Sequence, residues 1–142
     1  MVARTHGRSA DGKTLATAIE DVEQATVKIA LFELGSSGPP RMLDAKHYKL
    51  GVQFTPDGKS AAYAIRENGV DNVWVQPLDG SPGHLITDFK SEQIWSVSLS
   101  PDGERLAFCG VTTILMLFFC KNPSPKAVST NSCLRWTTLI SS

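Results

Sequence analysis

A short signature occurs three times in this chain at nearly constant spacing. Ser9-Ala10-Asp11-Gly12-Lys13 returns as Thr55-Pro56-Asp57-Gly58-Lys59 and again as Ser100-Pro101-Asp102-Gly103-Glu104, with the aspartates 46 and then 45 residues apart. The likeness extends past the signature. Leu15-Ala16-Thr17-Ala18-Ile19 aligns with Ala61-Ala62-Tyr63-Ala64-Ile65, and Lys28 to Leu34 with Asn72 to Leu78. Met42 to Lys46 aligns approximately with Ile86 to Lys90, and Val52-Gln53-Phe54 with Val97-Ser98-Leu99. One Pro-Asp-Gly is common by chance, whereas a whole pattern recurring at fixed period marks a repeat architecture.

The complete repeat reads as four short strands. Lys49 to Phe54, Ser60 to Ile65, Asn72 to Leu78 and His84 to Phe89 are separated by turn residues: Pro56-Asp57-Gly58, Glu67-Asn68-Gly69 and Asp79 to Gly83. Pro56 supplies the fixed φ of a turn's second position, and the glycine tolerates positive φ. Val73, Trp74 and Val75 suit a strand covered on both faces. Four strands in about 45 residues is the unit of a propeller blade, which buries its faces only by stacking on its neighbours. A β-sandwich needs no such period. The fold class expected is therefore all-β, a partial β-propeller of four-stranded antiparallel blades, about two and a half of them. The repeats run over about 9–54, 55–99 and 100–108 within a unit 1–108. Arg4 to Arg8 lacks alternation, so the first strand of the first repeat is expected to be poor.

A 42% hydrophobic and 20% charged content excludes a disordered chain, and fourteen basic against fourteen acidic side chains favour no nucleic-acid or anionic-membrane partner. Met1 to Lys13 contains no apolar stretch of the signal-peptide kind. Ile114 to Cys120, the longest apolar run, is far shorter than the roughly 20 residues that cross a bilayer, so a soluble chain without a membrane span is expected. Cys109, Cys120 and Cys133 are odd in number and lack CxxC spacing, which argues against a metal site or disulfide framework.

The repeats resemble the WD40-like, PDG-type repeats of TolB, of prolyl-oligopeptidase-type propellers and of the C-terminal halves of bacterial membrane-bound serine/threonine kinases. Phe54 to Lys59, Asn72 to Gly80 and Leu99 to Glu104 carry the likeness, which covers Asp11 to Phe108. Ile86 to Ser96 resembles the last blade boundary of the kinase-linked propellers most closely. The resemblance implies a periplasmic or extracytoplasmic parent and a non-catalytic binding or scaffold module. No GxGxxG, HRD or DFG motif of a kinase is in the sequence. In the kinase-linked family an Arg-Gly stretch and a Ser-Asp-Val-Val-Leu strand follow at this point, whereas here residues 109–142 depart from the pattern. No Asp or Glu follows Glu104, and all three cysteines lie beyond Phe108. Codon choices exist by which the bases of Cys109 to Phe118, read one frame over, spell Arg-Gly-His-Asn-Asp-Ser-Asp-Val-Val-Leu. The tail 109–142 thus reads as out of frame, with a genuine outer strand of the third blade as the alternative. Asn122 to Ser132 is polar, holds two prolines and is expected to be disordered.

No catalytic, cofactor-binding or metal-binding residue is assigned. His6, His47 and His84 are isolated and read as surface or packing residues, and GxSxG, HExxH and P-loop motifs are absent. Ser9, Ser36 and Ser37 stand in turn-like text. Asp11, Asp57 and Asp102 fall on successive blades and read as turn formers rather than calcium ligands. Glu20-Asp21-Val22-Glu23 reads as a solvated loop, without EF-hand spacing. Trp74 and Trp95 read as blade packing. A protein or small-ligand partner is expected on loops, with Glu67 to Asp71 and Gly80 to Gly83 as candidates. An incomplete ring also leaves strand edges through which self-association is expected. The competing readings are the accessory propeller of a prolyl-oligopeptidase-type peptidase and a decayed gene fragment.

Overall fold

The computed structural model describes residues 2–21, 23–46, 48–111, 115–121 and 133–136. The first sheet holds β1 (Val2–Arg8), β2 (Thr14–Asp21), β3 (Thr26–Glu33) and β4 (Arg41–Asp44). The second holds β5 (Tyr48–Phe54), β6 (Ser60–Glu67), β7 (Val70–Pro77) and β8 (His84–Leu85). The third holds β9 (Gln93–Leu99), β10 (Arg105–Val111), β11 (Leu115–Lys121) and β12 (Cys133–Trp136). Each sheet is an antiparallel meander of four consecutive strands, and β5, the first strand of the second sheet, lies against the first strands of the other two, β1 and β9. One sequence repeat is therefore one propeller blade, and the described residues contain no helix.

The structure carries the outer blades further than the pattern suggested. In blade 3, β10 runs on through Cys109 to Val111 and pairs with β11, which pairs with β12, so three four-stranded sheets stand where about two and a half were expected. In blade 1, β1 pairs with β2 from Val2↔Glu20 to Arg8↔Leu15, with a bulge between Ala3 and His6. That bulge is why alternation is lost in the sequence. An extra residue resets the two-residue phase while the ladder continues on either side.

Blade 2 falls short of expectation at its rim. The strand expected over His84 to Phe89 shortens to His84 and Leu85, opposite Val75 and Trp74, with an isolated bridge at Thr87. Beyond it, side chains take over the backbone's role. The Ile86 N–H donates to the Val73 carbonyl, and the Val73 N–H donates to Thr87 Oγ1 at 2.8 Å. Thr87 Oγ1 donates in turn to Asn72 Oδ1, which also accepts the Phe89 N–H at 2.7 Å. Thr87 is fully buried, so these bonds satisfy groups that water does not reach. The ladder also corrects the alignment by one residue. Met42 opposes Ala30 as Leu85 opposes Trp74, so Met42 corresponds to Leu85 rather than Ile86.

The core lies between the blades and splits by the period of two along the strands. On β6 all five residues from Ala61 to Ile65 are buried. Ala61, Tyr63 and Ile65 pack toward blade 1 on Ala16, Ala18, Ile29 and Leu31. Ala62 and Ala64, with Val73 and Val75 of β7, pack toward blade 3 on Ile94, Val97, Leu106 and Phe108. Phe108 meets Phe89 with ring centroids 4.7 Å apart and tilted by 41°.

Polar side chains tie the blades together. Asp71 is fully buried on β7, takes Arg66 Nε at 2.6 Å and Nη2 at 3.1 Å, and accepts the Ile94 N–H of blade 3 at 2.6 Å. That bidentate bond raises the Arg66 pKa above its ordinary value. Gln53 of β5 donates through Nε2 to the Val97 carbonyl and accepts the Leu99 N–H, so its amide stands in for a strand pairing across the gap to β9. At the position of Gln53 in blade 1 stands Gly7, where an added Cβ would lie 2.6 Å from the Val52 carbonyl oxygen. Blades 1 and 2 approach there backbone to backbone. Tyr63 accepts the Lys46 N–H at 3.0 Å, and burial pushes its phenol above the ordinary pKa against the lowering effect of that bond.

Candidate binding surface

The three signature turns share one geometry. In the second, the Gly58 N–H donates to the Thr55 carbonyl at 2.8 Å, closing a β-turn with Pro56 and Asp57 at its centre, and Gly58 follows at φ 68°. Thr55 Oγ1 donates to Asp57 Oδ1 at 2.6 Å, the Lys59 N–H donates to the same oxygen at 3.0 Å, and the Ser60 N–H donates to Thr55 Oγ1 at 3.0 Å. Ser9, Asp11, Lys13 and Thr14 repeat these bonds in blade 1, and Ser100, Asp102, Glu104 and Arg105 in blade 3. Gly12 and Gly103 sit at φ 71° and 73°, the left-handed region that only glycine enters freely. All three aspartates have lowered pKa values, first from the hydroxyl bond and then from the backbone N–H two residues on. These carboxylates are occupied within their own turns, as the turn-former reading expects.

The turns line one end of the stack, where grooves open between successive blades. The groove between blades 1 and 2 has a volume of about 940 Å³ and is bounded by Asp11, Glu33, Pro39, Arg41, Asp57 and Asp79. A smaller one of about 310 Å³ lies between blades 2 and 3, with His84, Asp57 and Asp102 at its rim. In the larger groove Asp11, Glu33, Asp57 and Asp79 outnumber the basic Arg41 and Lys59, so acid prevails. Arg41 donates to the Leu78 carbonyl across the blade boundary, and the Asp79 carboxylate accepts the N–H and hydroxyl of Ser81, which lowers its pKa. The walls are thus hydrogen-bonded turns rather than free loops.

The two loops expected to hold a partner fall at opposite ends. Gly80 to Gly83 joins β7 to β8 at the turn end, beside the larger groove. Glu67 to Asp71 is largely strand: Glu67 closes β6, Val70 opens β7, and only Asn68 and Gly69, at φ 51° and 80°, form the two-residue turn of a tight hairpin. Asp71 belongs to the core. Its phase with Val73 and Val75 on β7 was the available sign, an acid at an inward position of an alternating strand.

Trp74 packs at the blade 1–2 boundary as expected, with Lys46 Nζ 4.3 Å from its ring centroid. Trp95 does not: it is 57% exposed. On β9 Ser96 opposes Cys109 and Ile94 opposes Gly110, so Trp95 is the extra residue of a bulge that turns its side chain out of the packing phase. Gly110 permits this, since a Cβ there would strike the Gln93 carbonyl. His84 is exposed at the start of β8, His6 lies on β1, and His47 lies outside the described residues. Ser9 and Ser36 serve turns. Of the acidic stretch, Glu20 and Asp21 end β2 rather than lying in a loop, and Asp21 caps the following turn through the Glu23 and Gln24 N–H groups. Among the described residues no three His, Cys, Asp or Glu side chains gather as a metal site would require, and no helix is long and apolar enough to cross a membrane.

Neither a protein-family model nor a curated protein sequence matches the chain. Solved structures do. A TolB protein of Agrobacterium tumefaciens aligns over 95% of this chain and 49% of its own length with a TM-score of 0.75 at 19% identity. TolB of Acinetobacter baumannii aligns over 93% and 31%, with a TM-score of 0.69 at 14% identity. The β-propeller domain of the Trilobed protease of Pyrococcus furiosus aligns over 96% and 43%, with a TM-score of 0.66 at 14% identity. The chain spans half or less of the length of each of these proteins. Its three sheets have the fold of successive blades in a β-propeller.

Proposed function

We propose that this chain is a non-catalytic binding module, a propeller segment that takes a protein or small-ligand partner at the turn end. The observation that carries the reading is the groove between blades 1 and 2, walled by turns that are already internally bonded and therefore cost little to order on binding. Its excess of carboxylates favours a cationic ligand such as a Lys- or Arg-bearing extended peptide. Fluorescence anisotropy with labelled peptides of either sign tests this. Saturable, salt-sensitive binding of the basic peptides is expected, weakened by Asp79→Lys at unchanged circular dichroism. Equal binding of acidic and basic peptides, or none, would overturn it.

A second reading, an accessory domain of a peptidase, is favoured by the likeness to the propeller domain of a protease. The kinase-linked origin rests on the Ile86 to Ser96 resemblance. Neighbouring coding sequence separates them: a kinase domain and one membrane span upstream support the sensor reading, and a downstream α/β-hydrolase segment with GxSxG supports the peptidase. The same DNA tests the out-of-frame origin of 109–142. A neighbouring frame that is interrupted or encodes something else ends that idea, and one encoding the rest of a ring supports a decayed gene.

A further inference from the structure

We propose that Asn68 is a site of spontaneous covalent modification, converting in the folded chain to aspartate and isoaspartate, and that the isoaspartate loosens the bridge between blades 2 and 3. The reaction goes beyond the binding reading and makes no use of the turn-end groove. It needs only water. The Gly69 backbone nitrogen loses its proton and attacks Cγ of the Asn68 carboxamide, from which ammonia leaves. The new C–N bond closes a five-membered succinimide. Water then opens either of its two carbonyls, giving aspartate or an isoaspartate whose backbone runs through the side chain. A following glycine has no Cβ to obstruct the attack. Asn68 and Gly69 are exposed, at φ 51° and 80°, between the paired Glu67 and Val70. Among the described residues neither the Asn68 side chain nor the Gly69 N–H has a hydrogen-bond partner.

Comparable groups elsewhere in the chain are locked. Asn72, the other asparagine among the described residues, accepts the Thr87 hydroxyl and the Phe89 N–H and donates to the Phe89 carbonyl. The nitrogen that would attack it, that of Val73, donates its N–H to Thr87 Oγ1. In the signature turns the N–H groups of Gly12, Gly58 and Gly103 donate to the Ser9, Thr55 and Ser100 carbonyls. Asp11, Asp57 and Asp102, and Asp79 before Gly80, are held ionised by their hydroxyl and backbone bonds. An ionised carboxylate resists nucleophilic attack, because it is electron-rich and has no neutral group to expel. The four Asp-Gly pairs are thus protected where Asn68-Gly69 is not.

The isoaspartate inserts a methylene into a turn that accepts two residues of standard backbone length. Glu67↔Val70 closes this hairpin and Arg66↔Asp71 is the next pair. The added length therefore falls one step from fully buried Asp71, which holds both Arg66 and the Ile94 N–H of blade 3.

Incubation of the folded full chain in mildly alkaline buffer, followed by peptide mapping with mass spectrometry, is expected to show a carboxylate replacing the carboxamide at Asn68 first, with Asn72 unchanged. The products add a negative charge to a chain of zero formal net charge and separate by anion exchange. In urea the Asp57-Gly58 pair should form isoaspartate about tenfold or more faster than in the folded chain. The isoaspartate fraction should exchange its Ile94 amide about tenfold faster than the unmodified protein, read by nuclear magnetic resonance. Freshly purified Asn68→Asp, which has the charge without the added methylene, should leave that exchange unchanged. An Asn68 that converts in urea but stays intact in the folded chain would overturn the proposal. So would conversion of Asn72 or Asp57 in the folded chain at the rate of Asn68, an isoaspartate fraction with native Ile94 exchange, or an Asn68→Asp variant that exchanges as fast as the isoaspartate.

Discussion

At the scale of the residue, the chain's most repeated device is a carboxylate spent on its own turn. Asp11, Asp57 and Asp102 each accept a Ser or Thr hydroxyl and a backbone N–H, which holds all three ionised to lower pH than a free aspartate. A folded-state pKa below the unfolded one gives stability that is complete above the unfolded value and is lost as pH falls through the folded one. The melting temperature is therefore expected to hold from neutrality down to about pH 4 and to fall below it. Asp57→Asn should lower the melting temperature at pH 7 and shrink its drop between pH 7 and pH 3. Thermal melts monitored by circular dichroism check both, and an unchanged acid drop in the variant would remove the turn aspartates as its cause. The turns were legible in the sequence because every participant lies within five positions. Trp95 was not, since its outward aim comes from a bulge set by Gly110 on the neighbouring strand.

At the scale of the element, no backbone ladder holds one blade to the next; the apolar core between the blades does, reinforced by a few polar bridges. Asp71 is the most buried of them, joining Arg66 in its own blade to the Ile94 N–H of the next. Asp71→Ala removes a buried acceptor from both and is expected to cost about 2–4 kcal/mol in urea unfolding, with Asp71→Asn recovering part. A loss of under about 0.5 kcal/mol would show that apolar packing alone joins these blades. The phase of Asp71 marked it as inward, but the bonds that Asp71 and Gln53 make to the next blade were not legible in the sequence, because the partners lie more than twenty positions away. The rim of blade 2 failed for a related reason. His84 to Phe89 follows a turn as a strand does, but after Leu85 the hydroxyl of Thr87 and the amide of Asn72 take over the ladder's bonds.

At the scale of the molecule, the three-fold spacing made blade number and connectivity readable, while the ends of the array, where bulges and atypical residues break the pattern, were read too short. Among the described residues, those of the middle blade pack on both neighbouring blades. Its backbone amides, from Ala61 to Ile65 and at Val73 and Val75, should therefore exchange most slowly. Hydrogen-exchange mass spectrometry should rank the segment 61–65 above its counterpart 15–19 in protection, and equal protection of the two would mean that the first sheet is shielded as well as the second. The unbroken order of four neighbouring strands per sheet has a kinetic side too. Pairing partners lie close along the chain, so each sheet is complete once its own stretch has left the ribosome. The signature turn then marks successive stages of synthesis, and each newly finished sheet finds the preceding one waiting as a template.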